Sequence, residues 1–419
     1  MQRLRRNFDS CHMTNRIRLV QYVQLPENGG WLLRKSRAPV QTLENLEMKK
    51  TLVAIAALTA VSAFAQSTVV LDGNLDIAYE NMSGNNTKYK GSTVTTLNNA
   101  STSTINLTAT EDLGAGLKST ARIEIDPRAW VNDGSVAAAP ATGNNSNNAQ
   151  NGGLNRHQVY VGLAGKAGDI KLGAVDSLGL KAFLATSPLG TGIGSGYAPG
   201  GAGTAATSFI STRWGRSAQY TTPTYAGFTA AVNYATGNDE TVNSASRATA
   251  NGLNQNRTVT EIGLNYANGP LTVAYVNLRA GEFTNAATTT ISTDATAKQT
   301  LNVLGANYVL ASTGTTLYAG LMNGGISKAS GAVTTDVTKA KATRFAVKQE
   351  VNAQVDVIAS YQTAKPDVNP NDVKDTVKGL RGDYKLSKTS MVYVGYESWL
   401  NSTDNTTRKS TAIGIRKSF

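Results

Sequence analysis

The chain has 419 residues and a single cysteine, Cys11. One cysteine allows no intrachain disulfide framework. Only two histidines are present, and His157 is the only one beyond the first few dozen residues. That leaves little material for a histidine-ligated metal centre or a Ser/His/Asp triad. After residue 65 no apolar run approaches the about 20 residues that a membrane-crossing helix needs. Mean hydropathy is negative and charged residues make up only 16% of the chain. Glycine, threonine, asparagine and alanine are abundant.

The net charge of +12 suggests a nucleic-acid ligand only until it is located. Residues 1–65 hold ten basic and four acidic side chains, so the remainder carries 30 and 24, a net +6. Nothing in that balance calls for a polyanionic partner. The first segment has its own pattern. Met48, Lys49 and Lys50 form a positive start, 51–60 is apolar, and Ser62-Ala63-Phe64-Ala65 ends in an A-x-A cleavage signature. This is the grammar of a secretory signal peptide over 48–65, cleaved after Ala65. Such a signal works at an N-terminus. Residues 1–47, basic and irregular, are therefore expected to be a start-site miscall or an extension, with translation beginning at Met48. Sequencing the N-terminus of the native protein checks this, and any residue before Met48 contradicts it.

From 66 to 419 the dominant pattern is alternation with a period of two. Val69, Leu71, Leu75, Ile77 and Tyr79 share one face of the first strand, and Asp72, Asn74, Asp76 and Glu80 the other. In the third strand Leu117, Ile123 and Ile125 oppose Lys118, Thr120, Arg122 and Glu124. Sixteen strands are predicted, near 67–80, 101–111, 116–126, 157–164, 168–175, 215–222, 226–236, 257–267, 270–280, 299–310, 315–322, 342–350, 353–364, 376–385, 390–399 and 409–419. Short turns such as Asn268-Gly269 alternate with long Asn/Ser/Thr/Gly-rich connections. That rhythm belongs to a transmembrane barrel, with short periplasmic turns, long external loops, an apolar outer face and a polar lumen. A soluble sandwich would place the apolar face inward. The last strand carries Ile413, Ile415 and Phe419 outward and ends on that aromatic, as outer-membrane barrels do for their assembly machinery. The expected fold is all-β: a 16-stranded antiparallel transmembrane β-barrel in one domain, 66–419.

Residues 176–214 stand apart. They are apolar and glycine-rich, with Phe183, Pro188, Tyr197, Pro199 and Phe209. Left in water such a loop would be costly, so it is expected to fold into the lumen as a constriction. Selectivity in a narrow aqueous pore rests on charges whose field is focused by low-dielectric walls. By alternation the lumen-facing cations include Lys118, Arg122, Lys171, Arg213, Arg344, Lys348 and Arg381, with Arg156 or His157. The opposing acids are Asp72, Asp76, Glu124, Glu261 and Asp383. The residues expected at the constriction are Arg213, Arg122, Arg156, Asp176, Lys118 and Lys171. Trp130 and Trp399 are expected in interfacial girdles, and Trp214 against the constriction loop.

Several segments resemble one family. Thr110-Glu-Asp-Leu-Gly-Ala-Gly-Leu-Lys-Ser119, Val159-Tyr-Val-Gly-Leu-Ala-Gly165, Tyr220-Thr-Thr-Pro-Thr-Tyr-Ala-Gly-Phe228, Asn265-Tyr-Ala-Asn-Gly-Pro-Leu271, Asp383-Tyr-Lys-Leu-Ser-Lys388 and Gly414-Ile-Arg-Lys-Ser-Phe419 occur in this order. They resemble the trimeric general porins of β-proteobacteria over 66–419. The resemblance implies a water-filled homotrimeric barrel with an inward third loop, passing small hydrophilic solutes and ions, often with anion preference. It implies outer-membrane lipid and the barrel-assembly machinery, through Phe419, as partners, with no cofactor and no nucleic acid. In the family, wall arginines face acidic loop groups across the pore. Here Arg213 matches one such arginine. Arg156, in Arg156-His157-Gln158, keeps or shifts a second. Ser103-Thr104-Ile105-Asn106 and Leu172-Gly173-Ala174 lack two others. Asp176 is the main acid of the loop, so the transverse field is expected to be weak. The alternatives are a substrate-specific porin, which would line its loop with a ladder of charges or aromatics, and a barrel adhesin. A barrel enzyme is disfavoured by the lone His157.

Overall fold

The computed structural model describes residues 67–84, 94–98, 101–127, 155–197, 207–236, 258–284, 296–330, 333–366, 374–402 and 405–419. The segments at 1–47 and 48–65 lie outside these residues, as does Trp130.

Seventeen strand segments are present: β1 (Thr68–Ser83), β2 (Val94–Asn98), β3 (Thr104–Gly114), β4 (Leu117–Asp126), β5 (Asn155–Gly165), β6 (Gly168–Asp176), β7 (Arg213–Thr221), β8 (Phe228–Ala235), β9 (Val259–Asn268), β10 (Leu271–Thr284), β11 (Thr296–Leu310), β12 (Thr315–Ser330), β13 (Val333–Glu350), β14 (Val355–Pro366), β15 (Asp375–Lys385), β16 (Ser390–Asn401) and β17 (Thr406–Ser418). One short helix, α1 (Leu178–Leu184), lies between β6 and β7. The sequence predicts sixteen strands, and sixteen staves result. Segments β2 and β3 lie along one edge of β1: Val94–Asn98 pairs with Met82–Ala78, and Thr104–Thr110 with Asn74–Thr68. They form one interrupted stave. The short β2 falls inside what the sequence reads as the loop 81–100. Strands β12 and β13 run longer than their alternation predicts, out to Ser330 and back from Val333.

Every hydrogen-bonded pair of strands is antiparallel. The sheet closes where β1 meets β17, from Asn74 opposite Ser418 to Ser83 opposite Lys409. Phe419 extends that seam. Its amide donates to Gly73 O and its carbonyl accepts from Gly73 N, at 3.1 and 3.0 Å. A closed sheet leaves no unpaired edge, the condition for a β-structure in hydrocarbon.

The two faces of this sheet invert the usual distribution. Val69, Leu71, Ile262, Phe345, Leu380 and Ile413 are exposed, whereas Asp76, Asn233, Glu261 and Arg344 are fully buried at 0%. Exposed aliphatics with buried charges are unfavourable for a protein in water. They are natural for a barrel with lipid outside and polar groups within. The exposed tyrosines Tyr79, Tyr234, Tyr275, Tyr308 and Tyr361 lie on the outer face. Trp399 corrects the girdle expectation. It alternates in phase with the buried Tyr393 and Glu397, so it points inward, with the Arg408 guanidinium 4.5 Å from its ring.

Candidate functional site

The chain leaves the wall at Asp176 and enters the lumen. Ser177 caps α1: its Oγ accepts from Leu180 N at 2.9 Å and donates to Ser211 O at 2.5 Å, joining the two ends of the loop. The wall supplies a second cap. Glu261 of β9 accepts from Leu178 N and Gly179 N at 3.0 and 3.2 Å, and from Asn233 Nδ2 at 3.0 Å. A carboxylate at the first turn satisfies amides that a helix leaves unpaired. Leu178, Leu180, Ala182 and Phe183 then pack on Val276, Leu278, Leu301 and Val303, lumen-facing residues of β10 and β11. Trp214 joins this cluster, as expected from its place beside the loop.

Farther along, the wall holds the loop by its backbone. Buried Arg344 of β13 donates to Thr186 O at 3.0 Å, to Ser187 Oγ at 3.1 Å and to Ser195 O, with Phe183 stacked 4.9 Å away. Gln362 Nε2 reaches Gly196 O, Glu397 accepts from Gly194 N at 2.8 Å, and Gln299 Nε2 reaches Phe209 O. Wall glycines make room. A Cβ at Gly305 would stand 2.6 Å from Ala182 O, and one at Gly379 2.4 Å from Gly194 O. Residues 178–197 and 207–210 thus lie along the inner wall of β9–β16. Arg344 and Glu261, read from the sequence as lumen charges, anchor the loop.

The opposite wall is charged. Glu124 of β4 is its hub. Arg122 Nε and Nη2 lie 3.3 and 3.2 Å from Glu124 Oε2, and Gln158 Nε2 donates to the same oxygen at 3.0 Å. Arg213 Nη2 lies 3.6 Å from Glu124 Oε1, and Arg213 Nε 3.0 Å from Asp176 Oδ1. His157 sits between Glu124 Oε1 at 3.0 Å and Asp126 Oδ2 at 2.9 Å. A neutral imidazole carries one N–H, so with both carboxylates ionised both contacts are hydrogen bonds only when the ring is an imidazolium. A β-bulge places His157 here. The register jumps from Ile123–Val159 to Ile125–Arg156, so two consecutive residues, His157 and Gln158, both reach Glu124. Arg156 is paired through its backbone with Ile125, and its side chain lies outside the described residues.

Of the six residues expected at the constriction, three meet here: Arg122, Arg213 and Asp176. Their arrangement departs from the expected one. The wall arginine and the loop acid do not face each other across water. They touch at the root of the loop, where Arg122, Arg213 and a charged His157 balance Glu124, Asp126 and Asp176. Lys118 lies apart, exposed at the short-turn end of β4 and opposite Asp112. Lys171 stands opposite Gln219, 3.3 Å from Asp169 and 5.1 Å above the Tyr160 ring.

The sequence does not single out Lys181. Its Nζ donates to Gln219 Oε1 at 2.7 Å, so the loop and the wall present Lys181 and Lys171 on either side of one glutamine. Lys181 lies on the open side of α1. Its surface reaches water, yet the surrounding walls and then the Lys171 charge push its pKa below the ordinary lysine range. The buried set Leu178, Leu180, Ala182 and Phe183 is the signal that assigns 181 to the lumen side, once 178–184 is known to be helical.

A closed antiparallel barrel, apolar outside and charged within, with a chain segment fastened along its lumen, is a membrane pore. The chain belongs to the Gram-negative porins, whose family model matches residues 51–405. It is 29% identical over 408 residues to an outer membrane porin protein of Bordetella pertussis, covering 88% of this chain and 98% of that one. It is 32% identical over 206 residues to outer membrane porin protein 32 of Delftia acidovorans, covering 47% and 52%. Among solved structures, the anion-selective porin from Comamonas acidovorans superposes with a TM-score of 0.65 at 19% identity, covering 84% of this chain and all of that one. The trimer form of OmpT of Vibrio cholerae gives 0.56 at 13% identity over 84% and 99%. The protein is an outer-membrane porin, crossing that membrane with its strands.

Proposed function

We propose that the protein is a general diffusion porin that passes small hydrophilic solutes and ions with a modest preference for anions, and that it works as a homotrimer. The observation that carries the preference is the pair Lys171 and Lys181 flanking Gln219, beside a charged cluster that neutralises itself. Lys171 is paired with Asp169, so Lys181 carries the excess positive charge at this passage, and such an excess raises the local concentration of anions. Arg122, Arg213 and Asp176 shape the passage, and their mutual pairing limits their reach into it. Lys118, at the periplasmic end, adds to the mouth potential. The anion-selective character of one structural relative and the trimeric form of another support this reading. Phe419, outward and paired to Gly73, suits recognition by the barrel-assembly machinery.

The test is the zero-current potential of the purified protein in a planar bilayer under a KCl gradient. Steps closing in three equal levels with a potential of anionic sign are expected. Lys181→Glu should lower the anion-to-cation permeability ratio by about threefold. A ratio unmoved by Lys181→Glu removes this residue from selectivity, and a wild-type cation preference rejects the basic-passage assignment.

A further inference from the structure

The pairing that closes the barrel joins the two ends of its sheet, β1 and β17. No tight turn links these strands, so bringing them together carries the loop-closure entropy of almost the whole chain. On the lumen side the seam is bridged by side chains. Tyr393 of β16 stands opposite Gly414 of β17, and Gly414 stands opposite Ala78 of β1. The Tyr393 ring lies over Gly414, where a Cβ would come within 2.3 Å of its Cζ. Its hydroxyl passes β17 altogether and donates to Asp76 Oδ1 of β1 at 2.5 Å, across 317 positions of sequence. Along the same seam Ser410 Oγ of β17 donates to Glu80 Oε1 of β1 at 2.5 Å. The Arg381 guanidinium of β15 lies 4.4 Å from the Tyr393 ring.

The tip of the inward loop sits on this bridge. Ile193 forms one buried cluster with Tyr393, Ala78 and Ala412, which come from β16, β1 and β17. Gly395, the next inward position of β16, leaves room for it: a Cβ there would stand 2.8 Å from Ile193 Cγ2. Gly194 is held through both backbone groups. Its N–H donates to Glu397 of β16 at 2.8 Å, and its carbonyl accepts from Ser360 Oγ of β14. On the other flank, Thr191 Oγ1 lies 2.7 Å from Thr102 Oγ1, in the break between β2 and β3. Beside it Ser103 Oγ accepts from Asp76 N at 2.9 Å. The tip is thus bound to the staves on both sides of the seam, and its one large apolar side chain covers the seam itself.

We infer that the loop tip Thr191–Gly194, seated on Tyr393, is an internal clasp on the barrel's closing seam, so that seating of the loop and pairing of β1 with β17 stabilise each other. The tip finds its complete surface only when β16, β17, β1 and β3 are side by side. Linkage makes the coupling reciprocal: whatever the closed seam adds to the seating of the tip, the seated tip adds to the seam. The loop therefore has a second role besides narrowing the lumen, and this role is independent of the pore's selectivity.

The test is hydrogen exchange of the purified protein in detergent, read by mass spectrometry on peptides from the seam, β1 and β17, and from the wall at β11 and β12. Local opening of a sheet appears as faster exchange of its own amides. Ile193→Ala should speed exchange at the seam about tenfold and leave the wall unchanged. Tyr393→Phe keeps the ring under Ile193 but loses the bond to Asp76, and should speed the seam about threefold. Thr191→Ala should act in the same direction, about twofold. Leu180→Ala loosens the loop where it packs on β10 and β11 and should leave the seam unchanged. A seam unmoved by Ile193→Ala overturns the inference. So does equal acceleration of seam and wall, or an equal seam effect from Leu180→Ala, because the loop would then stabilise the barrel as a whole and not its closure. Should Ile193→Ala fail to assemble, Thr191→Ala decides by the same comparison.

Discussion

The two halves of the lumen wall are built on opposite principles. Along β10–β12 the inward residues include Val276, Leu278, Leu301, Val303 and Met322, and the loop covers them as a helix covers a sheet in a soluble core. Along β4–β7 the inward residues are Arg122, Glu124, His157, Lys171 and Gln219, and they stay wet or pair with each other. A barrel lumen is thus half protein interior and half aqueous channel. The apolar half fixes where the loop lies. The charged half sets what passes. Packing is tight and intolerant of volume, whereas the field of a pore is a sum over charges that can be edited one at a time.

The sharpest way to break the comparison is to make the dry half fail. Arg344→Met keeps the volume of the stem but strips Thr186 O, Ser187 Oγ and Ser195 O of their donor. Buried acceptors left unpaired cost about 1–3 kcal/mol each, so the loop should detach before the barrel opens. The expected readouts are protease cleavage within 176–214 under conditions where wild type resists, and noisier, larger conductance steps. Unchanged cleavage and conductance would mean that the apolar contacts alone hold the loop. A milder probe is Gly305→Ala. The new methyl would press on Ala182 O, a backbone atom, and overpacking of this kind costs about 1–3 kcal/mol. It should loosen the same loop to a smaller degree in the same two assays.

These tests also mark what the sequence could reveal. The barrel was legible because lipid outside and water inside impose a period of two along every strand. It failed where that contrast faded. Val94–Asn98 is a short threonine- and asparagine-rich piece with no apolar face, and β12 and β13 continue through Gly324-Gly325 and Lys339–Lys341, where glycine and lysine mask the alternation. The charged residues of the site were legible by type and face, but their partners were not. Arg213 meets Asp176 because both flank the root of a loop whose path depends on Glu261 and Arg344, far away in the chain. His157 enters the cluster through a bulge, which shifts parity without a composition signal. Lys181 escaped because a glycine-rich stretch read as loop contains one turn-forming run, Leu178–Leu184, that is helical only against the wall.

In the wet half, Glu124→Gln removes the hub charge while keeping its shape. Arg122, Arg213 and His157 would then outnumber their acids, and the anion-to-cation permeability ratio should rise by about threefold. A ratio that stays constant would show that the cluster is screened from the passage.

The smallest expected effect is a pH dependence, and it is traced to Lys181. Confinement by the walls and the neighbouring Lys171 lower the pKa of Lys181, with Asp176, Glu261 and Asp169 acting in the opposite direction. A lysine whose pKa is lowered loses its proton before lysines in the ordinary range near 10.4. Raising the pH should therefore erode the anion preference in an early step, and returning to neutral pH should restore it. The measurement is the zero-current potential against pH for wild type and Lys181→Gln. The variant should begin with the lower preference and lack the early step. If the early step survives in Lys181→Gln, another group on the charged wall controls it, and the loop contributes shape to this pore but no charge.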